Sequence, residues 1–195
     1  MAKTSLLPRG FKANAERTAL EFRKKLEIEA HDPLCGFKLA EHLSIPVYSP
    51  EEFFSPGTDM NDLVGTKLKD NGWSALTMVT GTNKKIIIHN HLHAPTRQQS
   101  NLMHELAHVI CDHKHPETHR NIALPFFMRD YDKQHEEEAI YLGSALQITR
   151  EGLIWALKKR MEIAEIAEHY NASTAMVTLR INSTGVKKQL SYLGL

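Results

Sequence analysis

The sequence is poor in cysteine, in net charge and in long hydrophobic runs. Two cysteines among 195 residues are too few for a disulfide framework, so Cys35 and Cys111 are expected to be reduced thiols. A formal net charge of +1 gives no global electrostatic reason to expect nucleic acid or an anionic membrane as a partner. No apolar run approaches membrane-spanning length, and the pair of leucines before Pro8 is too short for a secretory signal. We therefore expect a soluble, cytoplasmic protein.

Hydrophobic residues make up 42% of the chain, which is enough for one well-filled core with a small appendage. Helical spacing predicts helices over residues 12–30 and 36–43, and Pro46 marks residues 45–48 as a strand at a sheet edge. Residues 73–80 and 84–89, joined by a turn at 81–83, predict a hairpin. Between them, residues 51–71 are ambiguous, with a turn at Pro56-Gly57 and a helix possible over 60–69.

The most informative stretch is His104-Glu105-Leu106-Ala107-His108. On a helix, residues four apart lie one above the other, so His104 and His108 can bind one metal ion together. Glu105 would lie beside that ion, where it can take a proton from a water molecule and return it to a leaving amine. The surrounding residues 101–111 carry an apolar stripe at helical spacing, as a helix in the core would. The alternative is an ordinary amphipathic helix with two histidines on its flank.

A catalytic zinc needs a third protein ligand and one position for water. Residues 134–149 predict a strong helix with three acidic residues in its first turn, where the helix dipole favours them. Small residues such as Gly143 on its buried side permit close approach to a second helix. Glu136 is the favoured ligand, and Glu137 and Glu138 are its rivals.

Together these motifs resemble the ImmA/IrrE family of metallo-endopeptidases. The resemblance runs weakly from about residue 33 to the last residues, and it depends on the two helices together with Asn90 and Arg97, which lies seven residues before His104. It implies a zincin-like, gluzincin-type site in which Glu136, rather than Glu138, is the third ligand. It also implies a narrow protein substrate, typically a helix-turn-helix transcriptional repressor.

The chain departs from the family pattern at several positions. Ile140 stands where the family usually has Asn or Asp, so a hydrogen bond that would orient a ligand histidine is unaccounted for. Another group must orient that ring, or the site is weaker. Ser100 replaces an aromatic residue, and residues 146–149 replace the usual end of the second helix.

Several other histidines and one cysteine could bind metal by residue type, but their sequence context does not favour that role. His89, His91 and His93 alternate near Pro95, and one of them is a candidate for substrate binding rather than for metal binding. The polar stretch after the metal helix contains His113, and also His115 and His119, all of which are expected to be solvated. Cys111 is expected in the core rather than as a ligand.

The C-terminal part suggests a rival function. Residues 162–181 have the spacing of a helix-turn-helix unit, with Ser173 as the N-cap of its second helix. The obvious cations for phosphate contacts are Arg180, Lys187 and Lys188, and three glutamates on the first helix would repel phosphate. Nucleic acid is therefore a possible but not a favoured partner. A small helical module on the catalytic core is the alternative.

We therefore expect an α+β protein: a mostly helical core over residues 1–150, with a small antiparallel three-stranded sheet, and a C-terminal helical module over residues 151–195. His104, His108 and Glu136 would bind Zn²⁺, with Mn²⁺ possible, and Glu105 would be the general base and acid of a metallo-endopeptidase. The rival hypothesis is a zinc-stabilised regulator that binds DNA or protein through its C-terminal helices.

Overall fold

The computed structural model describes residues 5–53, 74–113 and 132–192. These residues form a mostly helical α+β structure with one small sheet, which confirms the predicted fold class. The helices in chain order are α1 (Phe11–Lys25), α2 (Gly36–His42), α3 (Pro50–Phe53), α4 (Pro95–Ile110), α5 (Lys133–Gln147), α6 (Arg150–Lys158), α7 (Ile163–His169), α8 (Thr174–Thr184) and α9 (Val186–Tyr192). In the described part of the chain, no helix is both long and apolar enough to cross a membrane.

The sheet has three strands, β1 (Val47–Tyr48), β2 (Ala75–Val79) and β3 (Lys85–His89), in the order β1-β3-β2. The predicted hairpin is confirmed, because β2 pairs antiparallel with β3. The prediction of a wholly antiparallel sheet is wrong for β1, which pairs parallel with β3. Parallel neighbours need a long connection. The segment between β1 and β3, which includes β2, supplies it, and no tight turn fixes the direction of β1.

Helix α1 ends earlier than its apolar spacing predicts. At its end, the Ile28 amide donates a hydrogen bond to the Arg23 carbonyl oxygen (3.0 Å), and the Glu27 amide donates to the Lys24 carbonyl oxygen (3.2 Å). Glu27 adopts a left-handed conformation with φ of 57°, which is the position that glycine usually takes in such a helix end. The sequence therefore carries no glycine to mark this stop. The ambiguous helix at 60–69 and the turn at Pro56-Gly57 lie outside the described residues.

A first hydrophobic cluster joins α1, α2, α4 and α5 around the metal-helix candidate. Residues on α4 that face this cluster are fully buried, namely Leu102, Met103, Leu106 and Ala107. Helix α5 lies against α4 at Gly143, where an added Cβ would meet the Met103 carbonyl oxygen at 2.9 Å. The expected close approach of the two helices is thus confirmed, and it depends on the missing side chain at Gly143.

A second hydrophobic cluster, from Ile148 to Val186, holds α6 to α9 together. The Arg180 side chain is fully buried and links this cluster to α1, because it donates to the Ile148 carbonyl oxygen (2.8 Å) and to Glu16 Oε1 (2.6 Å). Ser173 caps α8 as expected, since its Oγ accepts from the Met176 amide at 3.1 Å. The division at residues 150 and 151 stays a prediction.

Candidate metal centre

Helix α4 brings the two histidines of the central motif together. It begins at Pro95. Proline is favoured at the first helical position, because an N–H at that position would have no hydrogen-bond partner within the helix. His104 and His108 follow at a spacing of four, and their Nε2 atoms are 3.1 Å apart. His108 is buried and His104 is partly exposed, so the pair lies at the edge of the core rather than inside it.

Helix α5 adds the third residue. Its N-cap is Asp132, whose carboxylate accepts hydrogen bonds from the amides of Gln134 (2.8 Å) and His135 (3.3 Å). One turn later, Glu136 places Oε2 at 3.2 Å from His104 Nε2 and Oε1 at 3.4 Å from His108 Nε2. Hydrogen bonds from these two imidazoles hold the pKa of the Glu136 carboxyl well below its usual range. Two separate helices thus converge on one point.

The donor set fits a zinc ion. Zinc bonds to histidine nitrogen and carboxylate oxygen are about 2.0–2.2 Å long, so two ligand atoms at a tetrahedral angle lie roughly 3.3 Å apart. The two histidine nitrogens are 3.1 Å apart, and each faces a different oxygen of Glu136, at 3.2 Å for His104 and 3.4 Å for His108. Within the described ranges this group contains three ligand residues, His104, His108 and Glu136. Zinc held tetrahedrally by these three residues would keep one position for water, as a catalytic zinc site requires.

The rival acidic residues of α5 point elsewhere. Glu137 Oε2 accepts from the Leu6 amide at 2.9 Å, so it holds the N-terminal segment. Glu138 Oε2 lies 2.8 Å from His113 Nε2. Among these three glutamates, Glu136 is the one that the structure brings to both histidines of α4.

Glu105 turns toward the sheet. Its Oε2 accepts two hydrogen bonds from Thr77, from the amide at 2.8 Å and from the hydroxyl at 2.6 Å. The carboxylate is buried, and both donors are on one oxygen. Both hydrogen bonds from Thr77 thus leave Oε1 as the other oxygen of this carboxylate.

Thr77 lies in the middle of β2, which is an edge strand among the strands that the structure describes. The Asn90 amide bonds to the Ser74 carbonyl oxygen, and hydrogen-bonded pairs alternate along an antiparallel ladder, so the Thr77 amide points away from β3. The outer edge of β2, rather than of β3, therefore lies beside Glu105. In the described part of the sheet β3 is the central strand, so an extended peptide beside Glu105 would lie along β2.

The prediction that His113 is solvated is wrong. Helix α4 ends with Asp112 in a left-handed conformation (φ 53°), and the His113 amide bonds back to the His108 carbonyl oxygen at 3.0 Å. This turn buries the His113 imidazole, whose Nδ1 lies 2.9 Å from His108 Nδ1. A histidine five residues after a ligand histidine, at a helix end, was the signal available in the sequence. His115 and His119 lie outside the described residues.

Asn90 and Arg97 hold the end of the sheet. The buried Asn90 side chain accepts from the Leu92 amide at 3.0 Å, and Arg97 donates to the Ser74 hydroxyl at 3.2 Å. Asn90 therefore fixes the loop that leads from β3 into α4, and Arg97 ties the start of α4 to the residue before β2. Of the nearby histidines, His89 and His93 are buried, whereas His91 is exposed and lies 3.5 Å from Glu51.

The departures from the family pattern have clear surroundings. Ile140 is 48% exposed, so its side chain orients no ligand ring. Ser100 donates to Gln147 Oε1 at 3.0 Å and ties α4 to the end of α5. Cys111 packs against the first hydrophobic cluster, where burial and the nearby Glu138 charge raise the pKa of its thiol to about 11.

A helical core that places a histidine pair and a glutamate at one point has the ligands of a possible metal-binding protein. Residues 63–182, more than half of the chain, match the peptidase M78 family, described as the IrrE N-terminal-like domain. The chain belongs to this family, which confirms the resemblance drawn from its motifs and supports a metallopeptidase function acting on protein. No curated protein matches the chain significantly.

Proposed function

We propose that this protein is a zinc-dependent endopeptidase that cleaves a specific protein, such as a helix-turn-helix transcriptional repressor. One observation carries the proposal: ligand atoms of His104, His108 and Glu136 lie within 4.8 Å of one another in a chain of the peptidase M78 family. Manganese is the alternative ion. Residues 1–150 would form the catalytic core, residues 151–195 a module on it, and the cytoplasm is the expected compartment.

Zinc bound at this site would polarise the scissile carbonyl and raise the acidity of a water molecule. Glu105 would accept on Oε1 a proton of the water whose oxygen bonds to the scissile carbonyl carbon, and would return it to the leaving amine as the C–N bond breaks. Thr77 fixes the other carboxylate oxygen with two hydrogen bonds, so the general base is held in one orientation. The imidazoles and Glu136 hold the ion, and they exchange no proton with the substrate.

The substrate would bind as an extended segment along β2. In the described part of the sheet β2 is an edge strand, beside which an extended chain can lie, and β2 reaches the catalytic glutamate directly through Thr77. A repressor would therefore need to expose an unfolded or locally unfolded segment. The repressor itself is inferred from the family resemblance and from no contact in the structure.

The test is incubation of the purified protein with a candidate helix-turn-helix repressor, read by intact mass. Two product masses that sum to the substrate plus one water are expected with zinc, and they should disappear with chelator. Glu105→Gln should retain zinc and lose cleavage, because it removes the proton acceptor and keeps the ligands. Full turnover in Glu105→Gln would contradict the role of Glu105, and equal turnover in chelator would contradict the metal mechanism.

The structure argues against one of the three cations that the rival DNA-binding function would use to contact phosphate. Arg180, expected to contact phosphate, is fully buried and paired with Glu16, so it cannot reach DNA. Lys187 and Lys188 remain exposed on α9. A labelled operator fragment that shifts with the purified protein, without any cleavage of the repressor, would favour the regulator instead.

A further inference from the structure

A line of buried side chains leads away from the back of His108. His108 Nδ1 lies 2.9 Å from His113 Nδ1, and His113 Nε2 lies 2.8 Å from Glu138 Oε2. We propose that His113 and Glu138 are positioning residues that orient the metal ligand His108 through this relay. The inference rests on the proposed metal site, but it concerns residues that neither the central motif nor the family match assigns.

The proton positions in the relay follow from the metal site. A histidine that binds metal through Nε2 carries its proton on Nδ1, so His108 must donate to His113 Nδ1. His113 Nδ1 is then an acceptor, and its single remaining proton is on Nε2, where it is donated to the Glu138 carboxylate. One arrangement of protons therefore satisfies both contacts and leaves His108 Nε2 with its lone pair toward the ion.

The far end of the relay is fixed as well. Glu138 Oε1 accepts from Gln134 Nε2 at 2.8 Å, so both carboxylate oxygens have a donor. The His135 ring stacks on His113 with centroids 4.2 Å apart and an angle of 12° between the planes. His113 and Glu138 are both buried, which strengthens hydrogen bonds that end on a charge. The ring of His108 is thus held against rotation.

The relay supplies the orientation that the sequence left unexplained at Ile140. Carboxylate groups behind a ligand histidine fix its ring and raise its basicity, and their loss typically weakens metal binding about 10–100-fold. Here a second imidazole is inserted between the ligand and the carboxylate. The carboxylate also comes from α5, so the relay ties the end of α4 to the helix that carries Glu136.

A second metal ion is the competing explanation. Ligand atoms of Cys111, His113 and Glu138 lie within 4.8 Å of one another. The geometry favours the relay, because both ring nitrogens of His113 already face a hydrogen-bonding partner at 2.8–2.9 Å. Burial also keeps the Cys111 thiol protonated at neutral pH, with a pKa of about 11, and a thiol is a poor metal ligand.

The experiment measures zinc affinity by competition with a chromophoric chelator, together with the visible spectrum of the cobalt-loaded protein. His113→Ala and Glu138→Gln should each bind zinc more weakly, by about 10–100-fold for the first and less for the second. The double variant should bind no more weakly than His113→Ala alone, since the relay acts in series. The cobalt bands should shift in both single variants, a change that loss of fold stability alone would not produce.

The matched control is Glu137→Gln, a neighbour on the same helix that bonds to the N-terminal segment and should leave zinc affinity and cobalt bands unchanged. Glu138→Gln keeps the shape of the side chain, so it tests the relay even where His113→Ala unfolds. Cys111→Ser should also bind one zinc with unaltered affinity. Loss of a second zinc ion in Cys111→Ser would overturn the relay in favour of a two-metal site.

The relay is also overturned when both relay variants bind zinc as the wild type does and leave the cobalt bands unmoved. This outcome is distinct from failure of the proposed function. Wild-type protein that binds one zinc but cleaves no repressor would contradict the protease and leave the relay standing. Wild-type protein that binds no divalent metal would overturn the metal site and the relay together.

Discussion

The contact between α4 and α5 at Gly143 gives a quantitative test of how the metal site is assembled. In Gly143→Ala the new Cβ would lie 2.9 Å from the Met103 carbonyl oxygen and 3.1 Å from His104 Cα. Ordinary contact begins near 3.4 Å, so α5 must move outward by about 0.5 Å, the difference between 3.4 and 2.9 Å. Both atoms are backbone, so no side chain can rotate away to relieve the contact.

The energetic cost follows from two opposed effects. Overpacking against a rigid backbone costs about 2–3 kcal/mol. Alanine returns about 1 kcal/mol through its better helix propensity. We therefore expect Gly143→Ala to lower the free energy of unfolding by about 1–2 kcal/mol. Glu136 lies two turns before Gly143 on the same face of α5, so a shift of this size should also weaken zinc binding about tenfold.

Two measurements check this prediction: urea unfolding of the metal-free protein followed by circular dichroism, and chelator competition for zinc. Gly81→Ala is the matched control, because a Cβ at Gly81 meets nothing within 4 Å and should change neither quantity. If Gly143→Ala proved as stable as the wild type and bound zinc equally well, the close approach of the two helices would not be what sets the ligand geometry.

Three further predictions concern single side chains. Thr77→Val removes the hydroxyl that donates to Glu105, so the rate of repressor cleavage should fall about tenfold while zinc affinity stays unchanged. An unchanged cleavage rate would argue against the role of Thr77 in orienting Glu105. Arg180→Met removes the buried cation that pairs with Glu16 on α1, and it should lower the free energy of unfolding, measured by urea denaturation, by about 3 kcal/mol. The control Lys187→Met replaces an exposed cation and should change this free energy little. The thiol reagent DTNB at pH 8 should label the exposed Cys35 of the native protein rapidly and Cys111 slowly, because the pKa of Cys111 is about 11. Equal labelling rates for the two cysteines would contradict the buried environment of Cys111.

The local part of the site was predictable because helical spacing fixes it. His104 and His108 lie four residues apart on one strongly apolar helix, so their convergence follows from the 3.6-residue repeat. The acidic first turn of α5 likewise indicates the start of a helix, and the small residue Gly143 indicates that this helix packs closely against another. Choosing Glu136 among three adjacent glutamates needed the family resemblance, since spacing alone left the rivals open.

The parts that could not be predicted depend on backbone turns without their usual residues. Glu27 and Asp112 adopt left-handed conformations that glycine usually takes, so no glycine marked the end of α1 or the turn that buries His113. The direction of β1 depends on a long connection that no sequence period encodes. Arg180 reads as a surface cation because burial of arginine is rare and depends on a distant partner, Glu16.

The most direct test of the central claim is the zinc content of three purified proteins after dialysis: the wild type, Glu136→Gln and Glu137→Gln. If His104, His108 and Glu136 bind one ion together, the wild type and Glu137→Gln will retain one zinc per chain, and Glu136→Gln will lose most of it. Equal zinc content in Glu136→Gln and the wild type would contradict the account.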